Sequence, residues 1–304
     1  MRKLEDMSKL PPVSRLIDRR FQEDIDRVLI AIKNLVDRNL SIPAKNIPGY
    51  QPFLLVAAYA TKNTFDAIRF LIADSEDDPK RKLEFGLAVS PLIRFLIDLL
   101  ITIIVIRQRP RKYVKWYHRS GWRELKESLD RLKGEPGAAR KFGRQIRQQE
   151  QSIEHLRITY KINRKLASNP AAIRYWPYLG QVLKPKSGLK LRPRKFLEYL
   201  NTWFYSELSQ EAHISGAGMV RMYSKLLIET TDVDRERVLR LVKSNNGIMA
   251  ITLALAIAAE INDIGKFDRT VKLLYLWKVL STEWTDAKRL FDRRYKRMLN
   301  RRMS

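Results

Sequence analysis

The chain has 304 residues, 45 % of them hydrophobic, enough for one large helical domain or two smaller ones with a substantial core. With 59 Lys and Arg against 33 Asp and Glu, a formal +26, it is expected to attract polyanions, nucleic acid first, in encounters that weaken steeply with salt. It has no cysteine, which excludes disulfides, thiolate catalysis and Cys-ligated zinc and fits a reducing, cytoplasmic home; the amino-terminal MRKLEDMSKLPPVSR lacks the apolar stretch of a signal peptide.

Residues 13 to 38 place Leu16, Ile17, Phe21, Ile25, Val28, Leu29, Ile32 and Val36 at helical spacing with charges between them, which predicts a first amphipathic helix. Residues 41 to 52, rich in proline, predict a connection, and 53 to 73 a second, more buried helix closed by DSEDDP. Leu83 to Ile106 is an apolar run interrupted by Arg94 and Asp98, which stand four apart and can pair on one helical face. At Ser90-Pro91 either a new helix is capped or one long helix kinks. The run is long enough to cross a bilayer, but each charge near its middle would cost ~2.5 to 3.5 kcal/mol, so a core helix is expected and a membrane partner is not. The other long apolar run, Ile248 to Ala259, is too short to cross.

Pro110, between Arg109 and Arg111, ends that helix. Residues 112 to 134 resume the helical period, with a candidate break at Ser120 and Gly121. Residues 135 to 167 are almost all charged or amide, which predicts a helix that projects from the body or lies across a partner. Its cations, Arg140, Lys141, Arg144, Arg147, Arg157, Lys161, Arg164 and Lys165, make a track for phosphate; the alternative is a solvated helix held by pairs such as Glu154 with Arg157. Residues 170 to 194 are the least regular. There Tyr175, Trp176 and Tyr178 lie beside Lys184, Lys186, Lys190, Arg192, Arg194 and Lys195. That mixture suits single-stranded nucleic acid, whose bases stack while cations hold phosphates, or else a loop plugged onto the core by its rings.

In residues 201 to 216, Asn201, Tyr205, Ser209 and His213 recur every four positions and form one polar stripe on a helix, expected to face Arg94 and Asp98 across the core. DVDRERVLRLVKSNN and GIMAITLALAIAAEINDIG predict two further helices, the second central. From Phe267 onward one long helix turns basic, with Arg293, Arg294, Lys296, Arg297, Arg301 and Arg302 as a cationic tail. No strand or internal repeat is evident. The expected fold is all-α: a single helical-bundle domain of about eight to ten helices, with a projecting basic helix and a basic carboxyl-terminal helix.

Two chemistries fit the polar stripe. Tyr205, Ser209 and His213 can be catalytic, with Arg94 stabilising developing negative charge, His213 moving a proton and Asp98 holding either Arg94 or His213, as in metal-independent cleavage of RNA through its 2′-hydroxyl. The same residues can instead form a polar network that fixes helix register. His118, His155 and His213 lack metal-ligand spacing and no phosphate-binding glycine motif is present, so no metal or cofactor is expected. The cations assigned to nucleic acid are Arg107, Arg109, Arg111 and Lys112 after the apolar run, Arg140, Lys141, Arg144 and Arg147 in the track, Lys184 to Arg194 in the loop, and the tail.

LIRFLIDLL, at 92 to 100, resembles the helix with Arg, three residues, then Glu of a bacterial all-helical family of unknown function, and YSELSQEAHIS, at 205 to 215, resembles its helix with Tyr, Ser and His each four apart. YLGQVLKPKSGLK sits where that family has an aromatic and glycine loop. The resemblance covers roughly residues 50 to 230 and implies Arg94, Asp98, Tyr205, Ser209 and His213 as matched positions, with Asp98 in place of Glu. The architecture is also reminiscent of HEPN nucleases, whose Arg and His share one helix; here no arginine lies between Leu200 and His213, so Arg94 would come from another helix. These features lead to the expectation of a cytoplasmic, basic helical protein that binds RNA or DNA within a bacterial phage-defence or mobile-element system, with a protein partner in a multi-component complex. The rivals are a metal-independent ribonuclease and a structural subunit docking an acidic protein or membrane surface.

Overall fold

In the computed structural model, residues 19–38, 47, 49–72, 86–184, 188–205 and 232–301 are described, and their regular structure is helical with no strand. In chain order these are α1 (Arg19–Arg38), α2 (Tyr50–Ile72), a 3₁₀ turn (Gly86–Val89), α3 (Ser90–Gln108), α4 (Pro110–Gly134), α5 (Ala138–Thr159), α6 (Arg164–Ser168), α7 (Leu179–Val182) and α8 (Leu191–Leu200). A π turn (Asn201–Tyr205) extends α8, and then come α9 (Asp232–Gly265), α10 (Thr270–Glu283), α11 (Thr285–Leu290), a second π turn (Phe291–Tyr295) and α12 (Lys296–Asn300). Contacts gather the chain into two compact units. Unit 1 takes Met1–Ile42, Leu54–Ile103 and Lys195–Ser304, and unit 2 takes Pro43–Phe53 and Ile104–Arg194.

Unit 1 is built round α9, whose residues 250 to 262 are all buried. It meets α1, the 3₁₀ turn, α10 and α12. The expected break at residues 244 to 247 is absent, because Lys243, Ser244 and Asn246 are buried and belong to one continuous helix. At Gly247 an added Cβ would stand 2.9 Å from Ile72 Cδ1, so the missing side chain lets α9 approach the end of α2. Because α9 is continuous, Arg240–Gly265, and not the Arg94 run, is the helix among the described residues long and apolar enough to cross a membrane. Of its most apolar window, 78 % is buried inside the protein, as in the core helix of a folded domain.

The periodicity of α1 places Ile25, Val28, Leu29, Ile32 and Val36 in the core. Its polar edge is tied down by Lys62 Nζ to Asp26 at 2.9 Å, Arg69 Nε to Gln22 at 3.1 Å and Lys272 Nζ to Asp24 at 2.9 Å. α3 starts at Ser90, directly after the 3₁₀ turn, with Pro91 in its first turn, where the missing N–H costs nothing. The single long carboxyl-terminal helix is corrected to three short ones. Trp284 leaves helical geometry at φ −132°, ψ 116°, and its ring meets the edge of Phe204 at 6.2 Å. The π turn at 291 to 295 then lets both Phe291 and Tyr295 stack on the fully buried Trp277, at 5.8 and 4.9 Å.

Unit 2 is organised by α4, which opens at Pro110 and runs unbroken through Ser120 and Gly121. Residues 135 to 137 form a turn with Gly137 at φ +74°, and α5 returns antiparallel along α4. Sparse apolar residues hide a packed face. Ala138, Ile146 and Ile153 of α5 join Trp122 and Leu129 of α4, with Ile162 and Ile173, in one apolar cluster. The Trp122 indole N–H donates to the Ile153 carbonyl at 3.0 Å and fixes the register. Glu154 and Arg157 make the expected pair, with both bonds at 2.7 Å.

His118 secures the start of α2 within this unit. Its Nε2 lies 3.0 Å from the Gly49 carbonyl, which can only accept, so Nε2 carries the proton of the neutral ring, and the ring stacks on Tyr160 at 4.2 Å. Gly49 has φ +81°, and a Cβ there would lie 2.7 Å from the imidazole. Gly49→Ala is therefore expected to cost more than about 1 to 2 kcal/mol, read as a lowered urea midpoint. Burial pushes His118 below its ordinary value, against the partial support of the Gly49 bond. The unfolded chain then takes up the proton first, so this stability is whole above about pH 6.5 and drains as pH falls below it. The loss in melting temperature between pH 7.5 and 5.5 should be larger for wild type than for His118→Gln, and equal losses would remove the assignment.

Candidate functional site

Arg94 and Tyr205, 111 residues apart, meet in unit 1. Arg94 Nε donates to Asp98 Oδ2 at 3.1 Å, its Nη2 donates to the Tyr205 hydroxyl, and its Cζ lies 3.8 Å over the Tyr205 ring. Tyr205 arrives at the end of the π turn that prolongs α8. The Arg94 side chain is 16 % exposed and that of Asp98 50 %, so the pair sits at the edge of the core and not sealed within it. The Tyr205 hydroxyl is held above its ordinary value, first by burial and then by the Asp98 charge. Arg94 Nη1 is buried without a hydrogen-bond partner among the described residues. The arrangement fixes a cation between a carboxylate and a phenol. Of the other three members of the expected stripe, Asn201 opens the same π turn and is half-buried, while Ser209 and His213 lie outside the described residues, and with them the proton-transfer step of the ribonuclease reading.

The cations divide unevenly. Unit 2 carries 25 Lys and Arg against 6 Asp and Glu, so +19 of the chain's +26 belongs to it. Arg109, Arg111, Lys112, Arg140, Lys141, Arg144, Arg147, Lys184, Lys190 and Arg192 are exposed, and Arg107 and Arg194 half-buried; Lys186 lies outside the described residues. Arg192 and Arg194 stand on α8, not in the irregular loop where they were expected.

The carboxyl-terminal cations are of another kind. Arg294 is corrected from a phosphate contact to a structural ion pair. It grips Glu260 of α9 with both Nε and Nη2, the second bond at 3.0 Å, and the carboxylate has no exposure at all. Burial works against the guanidinium charge, yet the Glu260 carboxylate outweighs it and holds Arg294 above its ordinary value. Arg293 lies 4.5 Å over the Tyr199 ring, and Lys296 is 3.6 Å from Asp292. Arg297 and Arg301 are exposed, and Arg302 lies outside the described residues.

The irregular segment 170 to 178 is held by one face of α4. Ser120 Oγ accepts from Trp176 N at 2.6 Å and the Trp116 indole N–H points at the Arg174 and Tyr175 carbonyls at 3.0 and 3.1 Å. Arg123 Nη1 donates to the Ala171 and Ile173 carbonyls at 3.2 and 2.6 Å. Pro170–Ala172 make one 3₁₀ turn of their own, and beyond it the segment has backbone groups paired from outside. Of the three aromatics, Trp176 packs edge-on to Trp116, Tyr117 and Tyr113 at 5.5, 5.2 and 6.4 Å. Tyr175 lies under Arg123 at 3.8 Å and bonds Glu127, while Tyr178 is exposed. The plug reading fits Trp176. Sequence reasoning passed over Lys115, Trp116, Arg119, Arg123 and Arg174. The signal that could have found the first four is the recurrence of Lys115, Arg119 and Arg123 at four-residue steps on α4, with Trp116 beside them on the same face.

The Glu260–Arg294 pair yields a stability test. Arg294→Met strands a buried carboxylate and is expected to cost about 3 to 5 kcal/mol, whereas Glu260→Leu with Arg294→Met recovers most of that loss. Urea unfolding of both single variants and the double variant reads the coupling, and additive losses would mean that the two side chains do not interact. No family model, no curated protein and no solved structure matches this chain.

Proposed function

We propose that this is a helical protein that binds RNA or DNA through the basic surface of unit 2. The observation that carries the reading is the segregation of charge: 102 residues hold 25 cations against 6 carboxylates, while the remainder of the chain is close to balanced with 34 against 27. Charge needed only for solubility has no reason to gather on one unit, whereas a polyanion ligand rewards concentration, since each phosphate neutralised releases condensed counterions. Unit 2 also offers backing for the cations, because the α4–α5 hairpin fixes Arg140, Lys141, Arg144 and Arg147 on a packed element and so lowers the ordering cost of binding. By the resemblance of LIRFLIDLL and YSELSQEAHIS to that helical family we place the protein in the bacterial cytoplasm, in a defence or mobile-element assembly with a protein partner.

Affinity for a mixed-sequence oligonucleotide is expected to fall about 10³- to 10⁵-fold between 50 and 200 mM salt if six to ten phosphates are engaged. Replacing Arg140, Lys141, Arg144 and Arg147 together by glutamine should flatten the log–log salt slope by several units of charge. The same replacement at Lys296, Arg297 and Arg301 should leave it nearly as it was. A salt-independent affinity would end the reading, and equal effects of the two sets would end its assignment to unit 2.

A further inference from the structure

Two cavities lie on the α4 face that holds segment 170 to 178, both wholly within unit 2. The first, of about 460 Å³, is lined by Tyr113, Trp116, Arg123, Arg174 and Tyr175 among others, and the second, of about 480 Å³, by Lys112, Lys115, Trp116, Arg119 and Arg174. Both volumes fall in the range of roughly 300 to 1,000 Å³ of small-molecule clefts. Trp116 and Arg174 border both, so the indole stands as a partition between them. Among the described residues no Asp or Glu lines either cavity.

Three features point to a ligand. Lys112, Lys115 and Arg174 are exposed and make no ion pair among the described residues, in contrast to Arg123, which Glu127 holds at 2.6 Å. Arg119 donates through Nη2 to the Lys161 carbonyl at 3.0 Å, while its Nε is buried with no partner among the described residues, a donor left over beside the second cavity. Lys112, Lys115, Arg119 and Arg123 recur at steps of three and four along α4, a cationic row about 16 Å long with Trp116 set into it. The indole is fixed by its N–H bonds to Arg174 and Tyr175 and by the edge of Trp176, so stacking on it costs little side-chain entropy.

We infer that this double cleft is a stacking subsite for an unpaired nucleobase, with Trp116 as the platform and Lys112, Lys115, Arg119 and Arg174 on the flanking phosphates. The inference rests on the nucleic-acid reading above and narrows it to single-stranded segments. A duplex keeps its bases stacked on one another and offers the indole nothing, whereas every unpaired base has a free π-face and the cations accept any phosphate.

The test compares three labelled probes of equal length by fluorescence anisotropy at one salt concentration: a mixed-sequence single strand, the same sugar–phosphate chain without bases, and a duplex. Wild type is expected to hold the base-bearing strand at least about tenfold tighter than the abasic one. Trp116→Leu should bring the two within about twofold of each other, and Trp116→Phe should keep most of the difference. Equal affinity of wild type for base-bearing and abasic strands, or tighter binding of the duplex, overturns the subsite and leaves the polyanion reading standing. Failure to bind any of the three overturns both. Should Trp116→Leu lose its cooperative melting, Lys115→Gln and Arg174→Gln test the same place. Each is expected to weaken both single strands alike and to lower the salt slope by about one, and an unchanged slope in both overturns the placement.

Discussion

A backbone carbonyl or N–H away from water must find a partner, and segment 170 to 178, beyond its one 3₁₀ turn at Pro170–Ala172, has neither helix nor strand to supply one. Ser120, Trp116 and Arg123, on one face of α4, supply it instead. That constraint accounts for the rest of unit 2. These three side chains, one acceptor and two donors, must project from one continuous helix, so Ser120 and Gly121 cannot break α4. The helix must be kept from rotating, which the apolar cluster with α5 and the Trp122 bond to Ile153 accomplish. The segment so held turns Arg174 and Tyr175 toward the α4 cations, and the cavities either side of Trp116 are the space left between two rigidly related elements.

Unit 1 uses charge in the opposite manner. Its carboxylates and cations are nearly balanced in number, and the pairs that can be described are joined: Asp26 with Lys62, Asp24 with Lys272, Asp98 with Arg94, Glu260 with Arg294. Arginine at 294 suits this place, since its fork reaches both oxygens of one carboxylate and a lysine would reach one. Inside a core a cation serves as a fastening; on an exposed face without carboxylates it is available to a ligand. The same residue type therefore carries different meaning in the two units.

How much of this the sequence disclosed depends on the distance over which each feature is written. α1 was plain, because Ile25, Val28, Leu29, Ile32 and Val36 return every three or four positions and face one way. The boundary at Pro110 was plain because proline removes a donor. Arg94 and Tyr205 could be expected to meet, since an arginine in an apolar helix needs a partner and a polar stripe needs something to face. The residues Lys243 to Asn246 misled, since four polar or charged side chains read as a helix end unless their buried surroundings are known. Arg294 looked like one cation in a basic tail, for nothing within the tail reveals a carboxylate 34 positions earlier. Trp116 was hidden by its company: on an amphipathic helix an indole ordinarily belongs to the core, and the aromatics that drew attention were those already lying among loop lysines.

The two π turns bear on how such sequences should be drawn. A π turn closes through i→i+5 bonds where an α-helix closes through i→i+4, which amounts to one inserted residue, and each inserted residue rotates the remainder of the helix by about 100°. Beyond Phe291–Tyr295 the helix therefore presents Lys296, Arg297 and Arg301 on a different side from the one that a wheel begun at Thr285 would assign. Any comparison of this carboxyl end with another basic helix has to restart its angular count at Lys296, or it will align a solvent face with a buried one.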